Sequence, residues 1–211
     1  MTARDEVLAR IAEANRTAPA PPPVPRAYRR STDVPAGSPA AVRLFADRLR
    51  DYRATVLTCS PAQLPATVAT ALAGSRSLVV PAGLDPVWTA GLTGLAVRVD
   101  GPPLTHAELD ATDAVLTGCR VAVAETGTIV LDAAPDQGRR ALTLLPDRHV
   151  CVVRADQVVG SVPEAVEVLR REPARPLTWI SGPSATSDIE LVRVEGVHGP
   201  RDLRVVLVTT G

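Results

Sequence analysis

The chain has 211 residues and 45% apolar composition, and its 23 basic residues balance 23 acidic ones to a formal net charge of zero. That length can enclose a sizeable core, while zero net charge provides no basic field to hold nucleic acid or an anionic membrane surface. All 23 basic residues are arginine and Asn15 is the only asparagine, which excludes a Walker phosphate loop, a Schiff-base or pyridoxal-phosphate enzyme and a Cys-His-Asn protease triad.

The first sixteen residues, MTARDEVLARIAEANR, place Val7, Leu8 and Ile11 at helical spacing among charges. They predict an amphipathic helix over 1–16 and lack the continuous apolar stretch of a signal peptide. No run of roughly 18 uncharged apolar residues follows, so the expectation is a cytoplasmic protein without a membrane span. The next stretch, 17–37, contains TAPAPPPVPRAYRRSTDVPAGSP up to its last two residues. Its clustered prolines forbid helix and favour an extended, mobile linker, so the compact domain is expected over 38–211.

From Ser38 the pattern alternates. Ser38 caps a helix carrying Val42, Phe45, Leu49 and Tyr52; ATVLTC reads as a strand, PAQLPATVATALAG as a helix with Leu64, Val68 and Leu72 on one face, and SLVVP as a further strand. DPVWTAGL and THAELDATDAVL read as helical, RVAVAETGTIVLD, HVCVVR, LTWIS and DLRVVLV as strands, and SVPEAVEVLRR as a late helix with Pro163 in its first turn. Apolar strands separated by helices predict an α/β fold: an open, mostly parallel Rossmann-like sheet with helices on both faces. Ligands of such sheets bind beyond the carboxyl ends of the strands. Cys59, Cys119 and Cys151 are far apart and form no CxxC, which argues against a disulfide framework, a zinc ribbon or a cluster held by this chain alone.

Three stretches concentrate polar chemistry. In AVAETGTIVL, Gly127 supplies a tight hairpin turn beside Glu125, Thr126 and Thr128. Glu125 is then either an ordinary turn residue or a desolvated carboxylate able to act as base or nucleophile. After LTWIS come Gly182, Ser184, Thr186 and Asp188; such hydroxyls and amides cap helices and also bind carboxylates or phosphates. GPSAT misses the nucleophile elbow because Thr186 stands where the second glycine is needed. In VEGVHGP, His198 and Gly199 lie near Asp188 and Glu190, but the spacing matches no metal motif. Arg201, Arg204 and the pair Arg139-Arg140 are open to clamping a carboxylate or to pairing with nearby acids.

AETGTIVL, then LLPDRHVCVV, then SGPSATSDIELVRVEGVHGPRDLRVVLV, in that order, closely resemble the LUD-domain family, in particular its lactate-utilization members. The resemblance covers roughly Ala40 to the C-terminus, extends to the short amphipathic leader, and makes 38–211 a LUD α/β domain. It implies a fold like the NagB/RpiA/CoA-transferase group. It also implies a role in oxidising L-lactate to pyruvate as one of three proteins, the other two being iron–sulfur proteins. This chain lacks cysteine motifs for clusters, so no cofactor of its own is expected and it reads as the cluster-free subunit rather than a complete oxidoreductase. The alternative is a stand-alone acyl- or CoA-transferase using Glu125, as in related CoA transferases.

The site expected on this reading is one strand-end cleft holding a small carboxylate. Its ligand-binding residues are Thr126, Gly127, Thr128, Gly182, Ser184, Thr186, Asp188, Glu190, Gly199 and Arg201, with Glu125 or His198 handling a proton and no metal. A third possibility is a pure interaction module in which the leader helix docks a partner.

Overall fold

The computed structural model describes residues 2–16, 22–186, 194–195 and 199–209, with 185–186 and 194–195 described through their backbone. The first half of the chain gives α1 (Ala3–Arg16), α2 (Pro39–Asp51), β1 (Thr55–Cys59), α3 (Leu64–Ala71), β2 (Ser77–Pro81), β3 (Ala96–Asp100), α4 (His106–Asp110) and β4 (Ala114–Thr117). Then follow β5 (Val121–Val123), β6 (Thr128–Leu131), β7 (Arg148–Arg154), β8 (Val158–Val159), α5 (Val162–Leu169), β9 (Thr178–Ile180), β10 (Ala185–Thr186), β11 (Val194–Glu195) and β12 (Asp202–Val208).

Six strands form a parallel sheet in the order β1-β12-β7-β4-β2-β3. Its central strands are apolar on both faces, because a parallel sheet is covered on both. On one face α3 packs Leu64, Val68, Ala71 and Leu72 against Leu78, Val80, Leu116, Val150, Val152 and Val206. On the other, α2 lays Ala41, Val42, Phe45 and Leu49 over Cys151, Val153, Leu203, Val205 and Leu207, and α4 covers Val79 and Val115 with Leu109. That same face is shared with a second, four-stranded sheet, β8-β5-β6-β9, whose Ala122, Ile129 and Leu131 join the α2 cluster. Behind it, α5 closes the outer face through Ala165 and Leu169.

Local chemistry explains the helix starts. The Ser38 hydroxyl accepts from the Ala41 N–H at 3.2 Å, with Pro39 in the first turn. At α5 the Glu164 carboxylate accepts from the Ser161 N–H at 2.8 Å. THAELDATDAVL divides differently from its sequence reading: only His106–Asp110 is helical, and Ala114–Thr117 is a buried strand of the main sheet. DPVWTAGL yields a single 3₁₀ turn, Pro86–Thr89. Short apolar runs carry no period that separates helix from strand, and pairing with β2 and β7 decides for strand here.

Every described residue of α1 is exposed. The later part of the proline-rich segment lies against the domain. Arg29 grips Glu125 through both terminal nitrogens at 2.8 and 2.7 Å, the Thr32 N–H donates to Glu164 at 2.9 Å, and the Gly37 N–H donates to the Val158 carbonyl at 2.8 Å. No helix among the described residues is long and apolar enough to cross a membrane.

Phe45 is fully buried between α2 and the main sheet. Phe45→Ala should destabilise the fold by about 3–5 kcal/mol, read as a lowered denaturation midpoint at unchanged slope.

Candidate functional site

Two of the polar stretches meet because of strand pairing. Residues 124–127 turn β5 into β6, and β9 runs antiparallel along β6 with Ile129 opposite Ile180, which sets Thr128 beside Ser181. The Thr126 and Thr128 hydroxyl oxygens are 2.7 Å apart, and the Thr128 and Ser181 oxygens are also 2.7 Å apart. Three hydroxyls thus link the hairpin turn to the exit of β9. Both ends of this chain need glycine. Gly127 has φ +60° and Gly182 φ +83°, and a Cβ on either would come within 2.8 Å of the Arg48 Cβ and 2.7 Å of the Tyr52 Cβ respectively. The last turn of α2 is therefore the wedge against which both backbones rest.

A cavity of about 300 Å³ opens where β9 ends over the amino ends of β7 and β12. Leu144, Trp179, Ile180 and Leu203 give it apolar walls; Arg140, Thr143, His149, Ser181 and Ser184 bring polar groups to it, and Gly182 and Gly199 line it with backbone. The Ser184 N–H donates to the Pro200 carbonyl at 2.8 Å, closing the neck from which the chain leaves and returns, and β10 pairs with β11 just beyond. The cavity lies at the opposite end of the parallel strands from the one expected, because the 140–147 and 199–201 connections and the exit of β9 all gather at the starts of β7 and β12.

The cavity takes its charge from Arg140 and a polar floor from His149. Arg140 lies at its edge, and its guanidinium has no hydrogen-bond or ion-pair partner among the described residues. At the floor, His149 on β7 is 1% exposed, and its Nε2 is 2.8 Å from the Thr117 Oγ1 on β4. Burial pushes the His149 pKa down to about 4, so the imidazole is neutral at pH 7. Arginine as cation and neutral imidazole as hydrogen-bonding floor suit a small carboxylate with a further polar oxygen.

The expected residues are distributed unevenly. Gly182, Ser184 and Gly199 line the cavity, and Thr126 and Thr128 reach it through Ser181. Thr186 pairs its backbone with Val194 in the small β10-β11 ladder. Asp188, Glu190 and His198 lie outside the described residues. Glu125 and Thr126 border a separate depression with Arg48, Asp51 and Tyr52, on the other side of the Tyr52–Gly182 contact, and Arg29 holds the Glu125 carboxylate.

The arginines resolve by pairing. Arg201 is bidentate to Asp147 at 2.6 and 3.1 Å on the surface, Arg204 bonds Asp202 and the Ala71 carbonyl, and Arg139 is bidentate to Asp100 at 2.8 and 3.0 Å. The Arg139 hydrogen bonds hold the Asp100 carboxyl below its ordinary value. Of the clamp candidates, Arg140 alone borders this cavity.

Sequence reasoning passed over His149, Thr143 and Trp179. His149 lies inside a strand, and only the two-residue strand period, which puts it in phase with Cys151 and Val153, places it on the covered face. Among the described residues, no group of three His, Cys, Asp or Glu side chains is placed to hold a metal. The three cysteines are free and buried. The Cys119 thiol is pushed up by its hydrogen bond with Cys151 and by burial, which leaves it protonated and unreactive.

His149 makes stability pH-dependent. Its folded pKa lies below the unfolded value near 6.5, so the unfolded chain binds more protons between the two. Its contribution is fully present above pH 6.5 and is lost as pH falls towards 4, by about 3 kcal/mol in all. Denaturation across pH 4–7 should show this loss in the native protein and a flatter profile in His149→Gln.

Comparison with known proteins agrees with this architecture. The LUD domain model matches residues 104–208. A curated "Lactate utilization protein C" of Deinococcus radiodurans is 59% identical over 167 residues, covering 78% of this chain and 77% of that protein. The "Lactate utilization protein C" of Bacillus subtilis is 34% identical over 100 residues, 44% of this chain and 41% of that protein. A crystal structure of a DUF162 family protein from Deinococcus radiodurans superposes with a TM-score of 0.69 at 48% identity, covering 80% of this chain and 96% of that one. With the mostly parallel α/β sheet and the Deinococcus match over most of both chains, this chain belongs to the LUD-domain family, alongside relatives named lactate utilization protein C.

Proposed function

We propose that this protein is the cluster-free subunit of a cytoplasmic three-protein system that oxidises L-lactate to pyruvate, and that it holds a small carboxylate in the Arg140 cavity. Relatives named for lactate utilization support the role in lactate utilization. The observation that carries the site is Arg140: a guanidinium without a partner among the described residues, at the edge of a cavity of about 300 Å³ that also presents Ser181 and a neutral His149. A bidentate arginine–carboxylate pair at the edge of a partly apolar cavity is a strong, oriented contact.

Oxidising a 2-hydroxy acid removes two electrons and two protons. Protein side chains do not take up such an electron pair, so on this reading the redox groups are iron–sulfur clusters of the two partner proteins, and this subunit contributes binding and orientation. The transferase alternative asks for a free Glu125 carboxylate. That group anchors the amino-terminal arm through Arg29, and the alternative would first require this ion pair to open.

Titration of the purified chain with L-lactate at pH 7, followed by the fluorescence of the cavity-lining Trp179, tests the site. Saturable quenching that Arg140→Gln weakens by about tenfold or more is expected, since a hydrogen-bonded charge contributes about 1.5–3 kcal/mol. Unchanged affinity in that variant would remove the carboxylate from this cavity. In the cell, deletion of the gene should abolish growth on L-lactate where no second lactate oxidase exists.

A further inference from the structure

The floor of the cavity carries hydrogen-bonding capacity that the Arg140 contact does not use. His149 Nε2 is occupied by the Thr117 hydroxyl at 2.8 Å, which leaves Nδ1 as the ring nitrogen for a ligand. Thr117 stands on β4 directly opposite Cys151 on β7, and its hydroxyl is also 3.9 Å from the Cys151 Sγ. A hydroxyl has one proton to give and two lone pairs to offer. When the Thr117 hydroxyl donates to His149 Nε2, the ring proton sits on Nδ1 and Nδ1 is a donor. When it turns to donate to the Cys151 Sγ, it accepts from Nε2–H, and Nδ1 becomes an acceptor. The ring proton sits on Nδ1 in the first arrangement and on Nε2 in the second, so passing between them takes loss of the Nδ1 proton to water and gain of a proton from water at Nε2 as the hydroxyl turns. The floor's offer is then inverted, with the imidazole neutral in both states and no heavy atom of the protein moved.

We propose that the His149–Thr117 pair reads the oxygen on C2 of a short 2-hydroxy or 2-oxo carboxylate whose carboxylate is held by Arg140. This rests on the carboxylate reading of the cavity given above. A 2-hydroxy acid presents an O–H, which Nδ1 accepts; a 2-oxo acid presents a carbonyl, to which Nδ1–H donates. One floor thus accommodates both members of a 2-hydroxy/2-oxo pair and disfavours an acid with no oxygen at C2, because a buried nitrogen is then left unpaired. His149 is a specificity residue here. No bond in the ligand is broken by it, and no electron passes through it. Thr117 acts through His149 as a positioning residue, fully buried behind it.

The test compares L-lactate, pyruvate and propionate in Trp179 fluorescence titrations at pH 7 on the full chain and on Thr117→Val, Thr117→Ser and Arg140→Gln, each verified to be folded by thermal melting. Expected for the native protein is similar affinity for lactate and pyruvate, both about tenfold tighter than propionate. Thr117→Val should remove that advantage while leaving propionate unchanged, Thr117→Ser should retain it, and Arg140→Gln should weaken all three acids together. Equal affinity of the native protein for all three acids, with loss of all three in Arg140→Gln, would overturn the C2 reader and leave the carboxylate site standing. Absence of binding by any of the acids would overturn both. The comparison of the three acids on the native protein decides the matter even where a variant fails to fold.

Discussion

The all-parallel main sheet must be covered on both faces, and the way this chain meets that demand generates the rest of the molecule. One face is closed by α3 with an aliphatic layer. The other carries α2, α4 and a second sheet. A small sheet laid on a larger one does not match its length everywhere. Where β9 stops over the starts of β7 and β12, the two layers part, and the cavity is the space between them. His149 reaches that space because it shares a face with Cys151 and Val153, two residues further along the strand being one full repeat.

The position of the second sheet is fixed by close backbone approach. Gly127 and Gly182 both rest on the end of α2, at Arg48 and Tyr52, where no side chain would fit. The hydroxyl chain from Thr126 through Thr128 to Ser181 then ties the hairpin turn to the cavity rim. The amino-terminal arm adds a third fastening on the same side, with Arg29 on Glu125 and Thr32 on Glu164. Thus the AETGT turn contributes to how the layers are held.

Electrostatics in this chain are a matter of which guanidinium lacks a carboxylate. With 23 basic residues, all arginine, set against 23 acids, most local charge is cancelled in pairs. Arg139, Arg201 and Arg204 are each matched to an aspartate. Arg140, next in sequence to Arg139, has no such partner among the described residues and borders the cavity. Arg139 is the extended residue before a 3₁₀ turn and Arg140 is the first residue of that turn, so two neighbours in the chain end in different surroundings, Arg139 on Asp100 and Arg140 beside the cavity.

Much was already legible in the sequence. The Ser38 cap, the apolar period of α2 and α3, the runs SLVVP, HVCVVR and DLRVVLV and the Gly127 hairpin follow from local rules, since each depends on residues close in the chain. The resemblance carried by AETGTIVL and the 181–208 stretch reached the family for the same reason: its residues are contiguous. The composition also removed lysine-dependent chemistry outright. Tertiary structure alone decided the strand identity of Ala114–Thr117, the end of the sheet at which the cavity opens, the separation of Glu125 from that cavity, and the meeting of His149 with Thr117 across 32 positions. These depend on which strands become neighbours and which arginines find acids, and a contact between residues distant in the chain leaves no local pattern to be read.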